Sequence, residues 1–463
     1  MRYLSTRGGA RAEFTDVLLG GLASDGGLFL PETWPQFLED DIRAFSGCPY
    51  AEIAYQLICP FIGDIFTKSE FRADVLSAYR SFSHPEIVPL KKISSDKYLL
   101  ELFHGPTLAF KDVALQLLGH LFARGLDKQA RRATVIVATS GDTGSAAIGA
   151  LKGQPNVNVV VLHPQGKVSD VQRRQMTTVL DSNVYNIALE GSFDDTQSIV
   201  KALFVDDTFV SRFGLTAVNS INFARIMAQC VYYFTASVAL GHPRNISFVV
   251  PTGNFGDVFS GEVAARMGLP VDKLVVATNA NDILARALRT GVYSSGSVQS
   301  TLSPSMDIQV ASNFERALYE ASGRDAVWVM EAMNEFSNIR RLDISSDVLS
   351  HLSERYVAGS ANDDETLAMM SQVYRENQLI IDPHTAVGMA VADKLELPSG
   401  SPLVFLATAH PAKFPDAVLR ATGVHPELPS QLGDLLTREE RCKQLPNSIH
   451  AVRDFIAGIS STS

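Results

Sequence analysis

One lysine stands where an amine could do covalent chemistry. In Glu101-Leu-Phe-His-Gly-Pro-Thr-Leu-Ala-Phe-Lys-Asp112, Lys111 ends an apolar run beside the break made by Gly105-Pro106. Leu99 to Phe103 reads as a short buried strand, and Phe110 onward has helical apolar spacing through Val113, Leu115, Leu117, Leu118 and Leu121. Lys111 is therefore expected in the first helical turn, where the positive end of the helix dipole disfavours a cation and depresses the proton affinity of an amine. Such an amine is a nucleophile, able to form a Schiff base with a carbonyl. The other reading is a surface lysine laid along apolar neighbours at a helix start.

Polar clusters recur at the ends of predicted strands. Ala138-Thr-Ser-Gly-Asp-Thr-Gly-Ser145 follows one strand and leads into a helix expected over Ala146 to Leu151, so backbone N–H groups and hydroxyls gather at one point suited to a carboxylate. Capping of that helix by Ser140 or Asp142 uses the same donors. Pro251-Thr-Gly-Asn-Phe-Gly-Asp257 repeats the arrangement, with a helix expected from near Val258 and its N–H groups aimed at a phosphate. Asn219-Ser-Ile-Asn222 with Arg225 precedes a long apolar helical pattern reaching Leu240, and offers amide, hydroxyl and guanidinium to a second anion. Plain helix capping with an exposed Arg225 is the alternative there. Leu406-Ala-Thr-Ala-His-Pro-Ala-Lys413 puts Thr408 and His410 at a C-terminal strand end. No Gly-Lys-Ser/Thr phosphate loop and no Gly-x-Gly-x-x-Gly turn is present, which argues against a nucleotide and for one phosphate on a small cofactor.

The elements that must position these residues follow an α/β pattern. Thr134–Ala138, Val157–Leu162, Val184–Leu189, Ser247–Val250, Leu274–Ala277 and Leu403–Leu406 are Val/Ile/Leu-rich runs separated by helical patterns. Continuous apolar strands alternating with helices indicate parallel sheets covered on both faces, and two clusters of strands suggest two α/β domains with a cleft between. Ligands of such sheets collect at the carboxyl ends of strands. The expected organisation is an N-terminal domain over 1–90, then 91–240 with a small mobile α/β domain. A large α/β domain over 241–425 follows, with a helical insertion near 310–375, and 426–463 forms a C-terminal tail.

With 463 residues, 46% of them hydrophobic, the chain can bury a large core. Forty basic against fifty acidic residues give a net charge of −10 with no basic run, so neither nucleic acid nor an anionic membrane is an expected partner. The N-terminal residues lack the apolar core of a signal peptide, and no apolar stretch reaches the roughly 20 residues that span a bilayer. A cytoplasmic location is expected. Cys48, Cys59, Cys230 and Cys442 are far apart and without metal-ligand spacing, so no metal is expected.

Taken together, these segments resemble the threonine synthase family, pyridoxal-phosphate enzymes of fold type II (tryptophan synthase β-like). The resemblance rests on His104–Asp112, Ala138–Gly144, Gly166-Lys-Val-Ser169 with Gln175-Met-Thr177, Asn219–Asn222 with Arg225, Pro251–Asp257 and Ala407–Pro411, in family order over residues 1 to 425. Ser5-Thr-Arg-Gly8 and Asp25-Gly-Gly-Leu28 resemble the family's longer branch, which carries an N-terminal domain. The resemblance implies pyridoxal 5'-phosphate as cofactor, Lys111 as its Schiff-base lysine and Gly253, Asn254, Phe255, Gly256 and Asp257 around its phosphate. Asp257 is expected to cap the following helix, since its carboxylate should avoid that phosphate. Thr408 would face the pyridine nitrogen, leaving it less positively charged than an acidic partner does. The substrate α-carboxylate would sit on Ser140, Gly141, Asp142 and Thr143, and the substrate phosphate on Asn219, Ser220 and Arg225.

The implied substrate is O-phospho-L-homoserine, converted with water to L-threonine and phosphate by γ-elimination and β-hydration. Lys111, displaced by the substrate amine, would act as the mobile base. Relatives of the long branch imply a monomer or a weak homo-oligomer. Two alternatives stay open: a dehydratase or phospho-lyase releasing 2-oxobutanoate, which shares the early steps, and a non-catalytic phosphometabolite-binding protein.

Overall fold

The computed structural model describes residues 1–460 apart from Ala10, Val218, Asn219, Arg244 and Ser399. By contacts the chain falls into two compact units. The first comprises Met1–Val17, Gly21–Ala114 and Ser220–Pro426, and the second Leu18–Gly20, Leu115–Asn219 and Glu427–Ser463.

The first unit is built on a six-stranded sheet in the order Tyr356–Ser360, Val271–Thr278, Ile246–Pro251, Leu403–Ala407, Lys97–Glu101 and Leu90–Lys92. All neighbours are parallel except the Leu90–Lys92 edge strand. One register line, Val357, Val275, Val249, Phe405 and Leu99, crosses its five parallel strands. Every residue of Ile246–Pro251 is buried, as a strand covered on both faces must be, which is why it reads as an unbroken apolar run. The wholly buried Pro383–Ala392 helix lies on this sheet, and Gly388 lets it approach: a Cβ there would stand 3.4 Å from Val249 and Pro251. Met369, Met370, Val387, Val391, Phe405 and Val418 fill the same core.

Residues 310–375 carry the helices Phe314–Ala321, Ala326–Ile339, Ser346–Arg355 and Asp363–Asn377, but they also supply the Tyr356–Ser360 edge strand. The expected insertion therefore threads back into the main sheet. Its five-residue strand carries a Gly-Ser end and little apolar alternation, so it left no strand signal.

The N-terminal residues form a three-stranded antiparallel sheet of Tyr3–Ser5, Arg11–Ala12 and Phe29–Pro31. Asp25 ties its loops by accepting from Ser5 Oγ (2.8 Å), Gly27 N (2.9 Å) and Gly9 N (2.8 Å). Gly27 is required there, since a Cβ would fall 2.2 Å from Ser5 Oγ.

The second unit holds a five-stranded, wholly parallel sheet in the order Lys443–Leu445, Val184–Leu189, Val157–Pro164, Ala133–Ala138 and Leu215–Thr216. Residues 426–463, expected as a tail, thus contribute an edge strand. The Ile449–Ser460 helix adds Val452, Ile456 and Ile459 to a core with Ile136, Val160, Leu162, Ile187 and Leu203. The charged run before them, Arg438-Glu-Glu-Arg441, concealed this packing.

Within this unit Gly119, midway along the Lys111–Lys128 helix, sits where a Cβ would meet the Ala150 carbonyl oxygen at 2.3 Å. A backbone oxygen cannot swing aside. Gly119→Ala should therefore lower stability by about 1–3 kcal/mol through overpacking. Gly125→Ala on the same helix meets only side chains at ordinary contact distance, Leu18 Cδ2 at 3.4 Å and Leu19 Cδ2 at 3.6 Å, and should be neutral or stabilising by up to about 1 kcal/mol. Thermal midpoints of the two variants, measured side by side, check the contrast.

Candidate functional site

Lys111 lies in the first turn of its helix, as the apolar spacing predicts; it is the first residue of that helix, and it is buried. The chain before it is pinned to the carboxyl end of the Leu403–Ala407 strand. An antiparallel bridge joins Ala109 to Ala409, Phe110 N donates to Thr408 O at 2.8 Å, and His410 N donates to Leu108 O at 3.0 Å. This brings Lys111 and Thr408 together at the carboxyl edge of the six-stranded sheet. Leu108 has φ 61°, a left-handed conformation that leucine rarely adopts, so the tertiary bonds on either side must hold it.

Asp112 fastens the turn from within. It is fully buried and accepts from Thr107 N (2.8 Å) and Thr107 Oγ1 (2.7 Å), while the buried Lys413 Nζ donates to Thr107 O at 2.7 Å. A Cβ on Gly105 would lie 2.4 Å from Asp112 Cβ, so the turn closes only on glycine. Burial pushes the Asp112 carboxyl up to about 6, although the Thr107 bonds and the Lys413 charge pull the other way.

The loop after Ile246–Pro251 leads into the Gly256–Arg266 helix, two residues earlier than expected. Phe255 is its N-cap residue at φ 67°, and its own side chain makes no cap bond. The Phe255 ring is buried against Phe314 and Tyr356, each 5.2 Å away, which explains why a residue other than glycine holds the left-handed turn. Asn254 Oδ1 accepts from Gly256 N at 3.0 Å, and a Cβ on Gly253 would stand 3.1 Å from Ser305 O. Asp257 does not cap the helix as expected. Its Oδ1 accepts from the hydroxyls of Tyr232 and Tyr233, because its position in the first turn faces the neighbouring Phe223–Ala239 helix.

Asn313 joins two of the predicted clusters. Its N and Nδ2 donate to Asn254 O (3.0 and 3.2 Å), and Nδ2 also reaches Ser220 O at 3.1 Å. It escaped sequence reading because its partners lie 59 and 93 residues away. Asn219 lies outside the described residues. Asn222 caps the Phe223–Ala239 helix through Ala224 N (3.0 Å), and Arg225 follows in its first turn. Arg225 is not the exposed residue of the capping alternative: it is 4% accessible, and its Nε has no hydrogen-bond partner among the described residues. Burial pushes the guanidinium down to about 10, still protonated at neutral pH. An ion so placed asks for an anion.

In the second unit the helix after Ala133–Ala138 spans Asp142–Leu151, beginning four residues before the expected start. Neither Ser140 nor Asp142 caps it. Gly141, at φ 140°, is the N-cap residue, and Thr139 Oγ1 accepts from Gly141 N and Gly144 N, each at 2.9 Å. The glycine turn folds Thr139 back over the helix start and directs the buried Asp142 Oδ1 to Gln172 Nε2 at 2.8 Å. A Cβ on Gly141 would collide with Gln172. Among the described residues no group of three or more His, Cys, Asp or Glu is placed to hold a metal ion.

Comparison with known proteins covers nearly the whole chain. Residues 86–337 match the family model described as pyridoxal-phosphate dependent enzyme, residues 2–79 that of the threonine synthase N terminus, and residues 385–456 that of the threonine synthase C-terminal region. A threonine synthase of Pseudomonas aeruginosa is 47% identical over 460 residues, covering 99% of this chain and 98% of the relative. The crystal structure of a pyridoxal-phosphate-bound threonine synthase from Brucella melitensis aligns with a TM-score of 0.97 at 48% identity, over 99% of each chain. That of the yeast enzyme aligns at 0.94 and 36% identity, over 100% of this chain and 99% of the other.

The burial of Asp112 has a consequence for stability. Its carboxyl ionises near 3.8 in an unfolded chain and about 6 in the folded one, so between these values the unfolded state sheds the proton first. Folding stability should fall as pH rises through that window. Asp112→Asn should remove this part of the dependence, on the order of 1–3 kcal/mol, visible as a flatter thermal midpoint from pH about 4 to about 6 than in the parent protein.

Proposed function

Because the chain belongs to the threonine synthase family of pyridoxal-phosphate-dependent enzymes, and is a carbon–oxygen lyase of fold type II, we propose that it converts O-phospho-L-homoserine and water to L-threonine and phosphate. The observation that carries the reading is Lys111, buried at the start of its helix and pinned beside Thr408 at the carboxyl edge of the six-stranded sheet.

The residues present fit a phosphate-bearing cofactor. The N-cap residue of the Gly256–Arg266 helix makes no side-chain cap bond, and although Asn254 Oδ1 takes the Gly256 N–H, the dipole of the helix start favours an anion there. Gly253, Asn254, Phe255 and Gly256 would hold the cofactor phosphate, with Asp257 behind them, and Thr408 would face the ring nitrogen. The bound cofactor supplies an electron sink for the substrate α-carbon.

The chain's own residues would do the rest. Lys111 Nζ would anchor the cofactor and, once the substrate amine takes its place, carry the Cα proton. Ser140, Gly141, Asp142 and Thr143 would receive the substrate carboxylate at a helix start whose backbone Thr139 has already shaped. Arg225 would hold the substrate phosphate, with Ser220 and Asn219 beside it in sequence, and its unpartnered Nε supports that role. Keeping the leaving phosphate on Arg225 favours release from Cγ and hydration at Cβ over early loss of a keto acid.

We place the enzyme in the cytoplasm as a monomer or weak homo-oligomer. Its four cysteines are unpaired, and no helix among the described residues is long and apolar enough to cross a membrane.

Two experiments test the reading. Borohydride reduction of the cofactor-loaded protein, followed by peptide mapping, should place the label on Lys111 alone, and Lys111→Ala should abolish turnover while leaving the fold intact. A label on a different lysine would overturn the assignment. Arg225→Lys keeps the charge but loses the planar fork, so kcat/KM for phosphohomoserine should fall roughly 10- to 1000-fold with little change in cofactor affinity. Product analysis should show threonine; 2-oxobutanoate as the main product would select the dehydratase alternative.

A further inference from the structure

The Asp170–Thr177 helix has no part in the roles above, yet one of its faces lies against the loop proposed to receive the substrate carboxylate. Gln172 and Met176, four residues apart, share that face, and Gly141 and Gly144, three apart, share the side of the loop that meets it. A Cβ on Gly141 would fall 2.5 to 2.7 Å from the amide atoms of Gln172, and one on Gly144 would fall 2.7 Å from Met176 Sδ. The Gln172 amide therefore rests directly on the Gly141 backbone, while its Nε2 donates to Oδ1 of the next residue, Asp142, at 2.8 Å. Both partners of this bond are buried.

The amide is held in one orientation. Ser169, the N-cap residue of the helix, donates to Gln172 Oε1 at 3.1 Å and accepts from Gln172 N at 3.3 Å, so the oxygen end of the amide is engaged and the NH2 end faces Asp142. Another face of the same helix is clamped by the segment before the Lys443–Leu445 strand. Glu440 accepts from Thr177 Oγ1 at 2.6 Å and pairs with Arg173 and, at 3.3 Å, with Arg174, while Arg441 N donates to Thr177 O at 2.6 Å. Asp142 needs such a hold. A carboxylate in the first turn of a helix that is to receive a second carboxylate repels it, and more strongly as water is excluded. A neutral amide fixes the resident charge without adding a cation that would compete for the incoming one.

We propose that Gln172 is a positioning residue for substrate recognition: it holds the Asp142 carboxylate and the Gly141 turn in the arrangement that lets this loop accept the substrate α-carboxylate. The proposal rests on the reading of Ser140, Gly141, Asp142 and Thr143 as the carboxylate site. Ser169 sets the orientation of the amide, and Gln172 passes it to the loop, acting through Asp142 and Gly141 rather than on the substrate.

Steady-state kinetics of the cofactor-loaded full chain test this with two ligands: phosphohomoserine, and 3-aminopropyl phosphate as a competitive inhibitor that has the amine and the phosphate but no carboxylate. Gln172→Glu keeps the shape of the side chain and sets an acceptor against Asp142 Oδ1. KM for phosphohomoserine should rise roughly 10- to 100-fold with a smaller fall in kcat, while the inhibition constant of 3-aminopropyl phosphate stays within about twofold. In an Asp142→Asn background the new amide can donate to the glutamate, so Gln172→Glu should there raise KM by less than about threefold over Asp142→Asn alone. Gln172→Met keeps the volume and loses the donor; it carries the test if Gln172→Glu does not fold, with a rise in KM of roughly 3- to 30-fold. An unchanged KM, an equal weakening of both ligands, or an equal cost of Gln172→Glu in the two backgrounds overturns the proposal. Ser140→Ala and Thr143→Val, assayed in the same way, report separately on the underlying reading: if neither raises KM for phosphohomoserine, the carboxylate binds elsewhere, whatever Gln172 does.

Discussion

The pairing of the chain before Lys111 with the chain after the Leu403–Ala407 strand is the constraint from which the site follows. Two backbone hydrogen bonds, Phe110 N to Thr408 O and His410 N to Leu108 O, fix a helix start against the carboxyl edge of a buried sheet. Backbone bonds in such a place have no competing water and tolerate little displacement. They also force Leu108 into the left-handed region, a local strain sustained by the packing around it. The Asp112 and Thr107 bonds then close the turn from the helix side, so the amine is held by main-chain geometry rather than by its own long side chain.

Two buried arginines differ in how their guanidinium groups are satisfied. Arg316 is fully buried and its guanidinium is satisfied by the carbonyls of Phe29 and Ile221 and by Asn313 Oδ1. It is a structural bolt, surrounded by acceptors supplied in advance. Arg225 is almost equally buried, yet its Nε lacks any such acceptor among the described residues. Desolvating a cation without satisfying it is costly, and proteins retain that cost where a ligand completes the arrangement.

Much of this was legible in the residues. Unbroken apolar runs identify the central strands to within three residues at either end, because a strand buried on both faces has no other way to read, and the apolar spacing after Phe110 places Lys111 in the first turn of its helix. Features set by distant partners were not legible. Asn313, Tyr232 and Tyr233 stand within helical patterns that are complete without them, and only the fold reveals that they reach Asn254, Ser220 and Asp257. The cap at Thr139 was missed for a local reason: Gly141 turns the chain so sharply that the residue two before it, rather than Ser140 or Asp142, meets the helix start.

The grip of the N-terminal residues on Glu315 sets a clock. Thr6 Oγ1 donates to Glu315 Oε1 at 2.5 Å, and Arg7 reaches both carboxylate oxygens at 3.0 and 2.8 Å, across a separation of 308 residues. During synthesis at about 5–20 residues per second, the first strand emerges roughly 15 to 60 seconds before its anchor exists. Asn313 and Arg316, which brace the loops around Asn254 and Ile221, flank that anchor and arrive with it. The oldest part of the nascent chain must therefore wait, and the loops of the site cannot take this support until Arg316 has been synthesised.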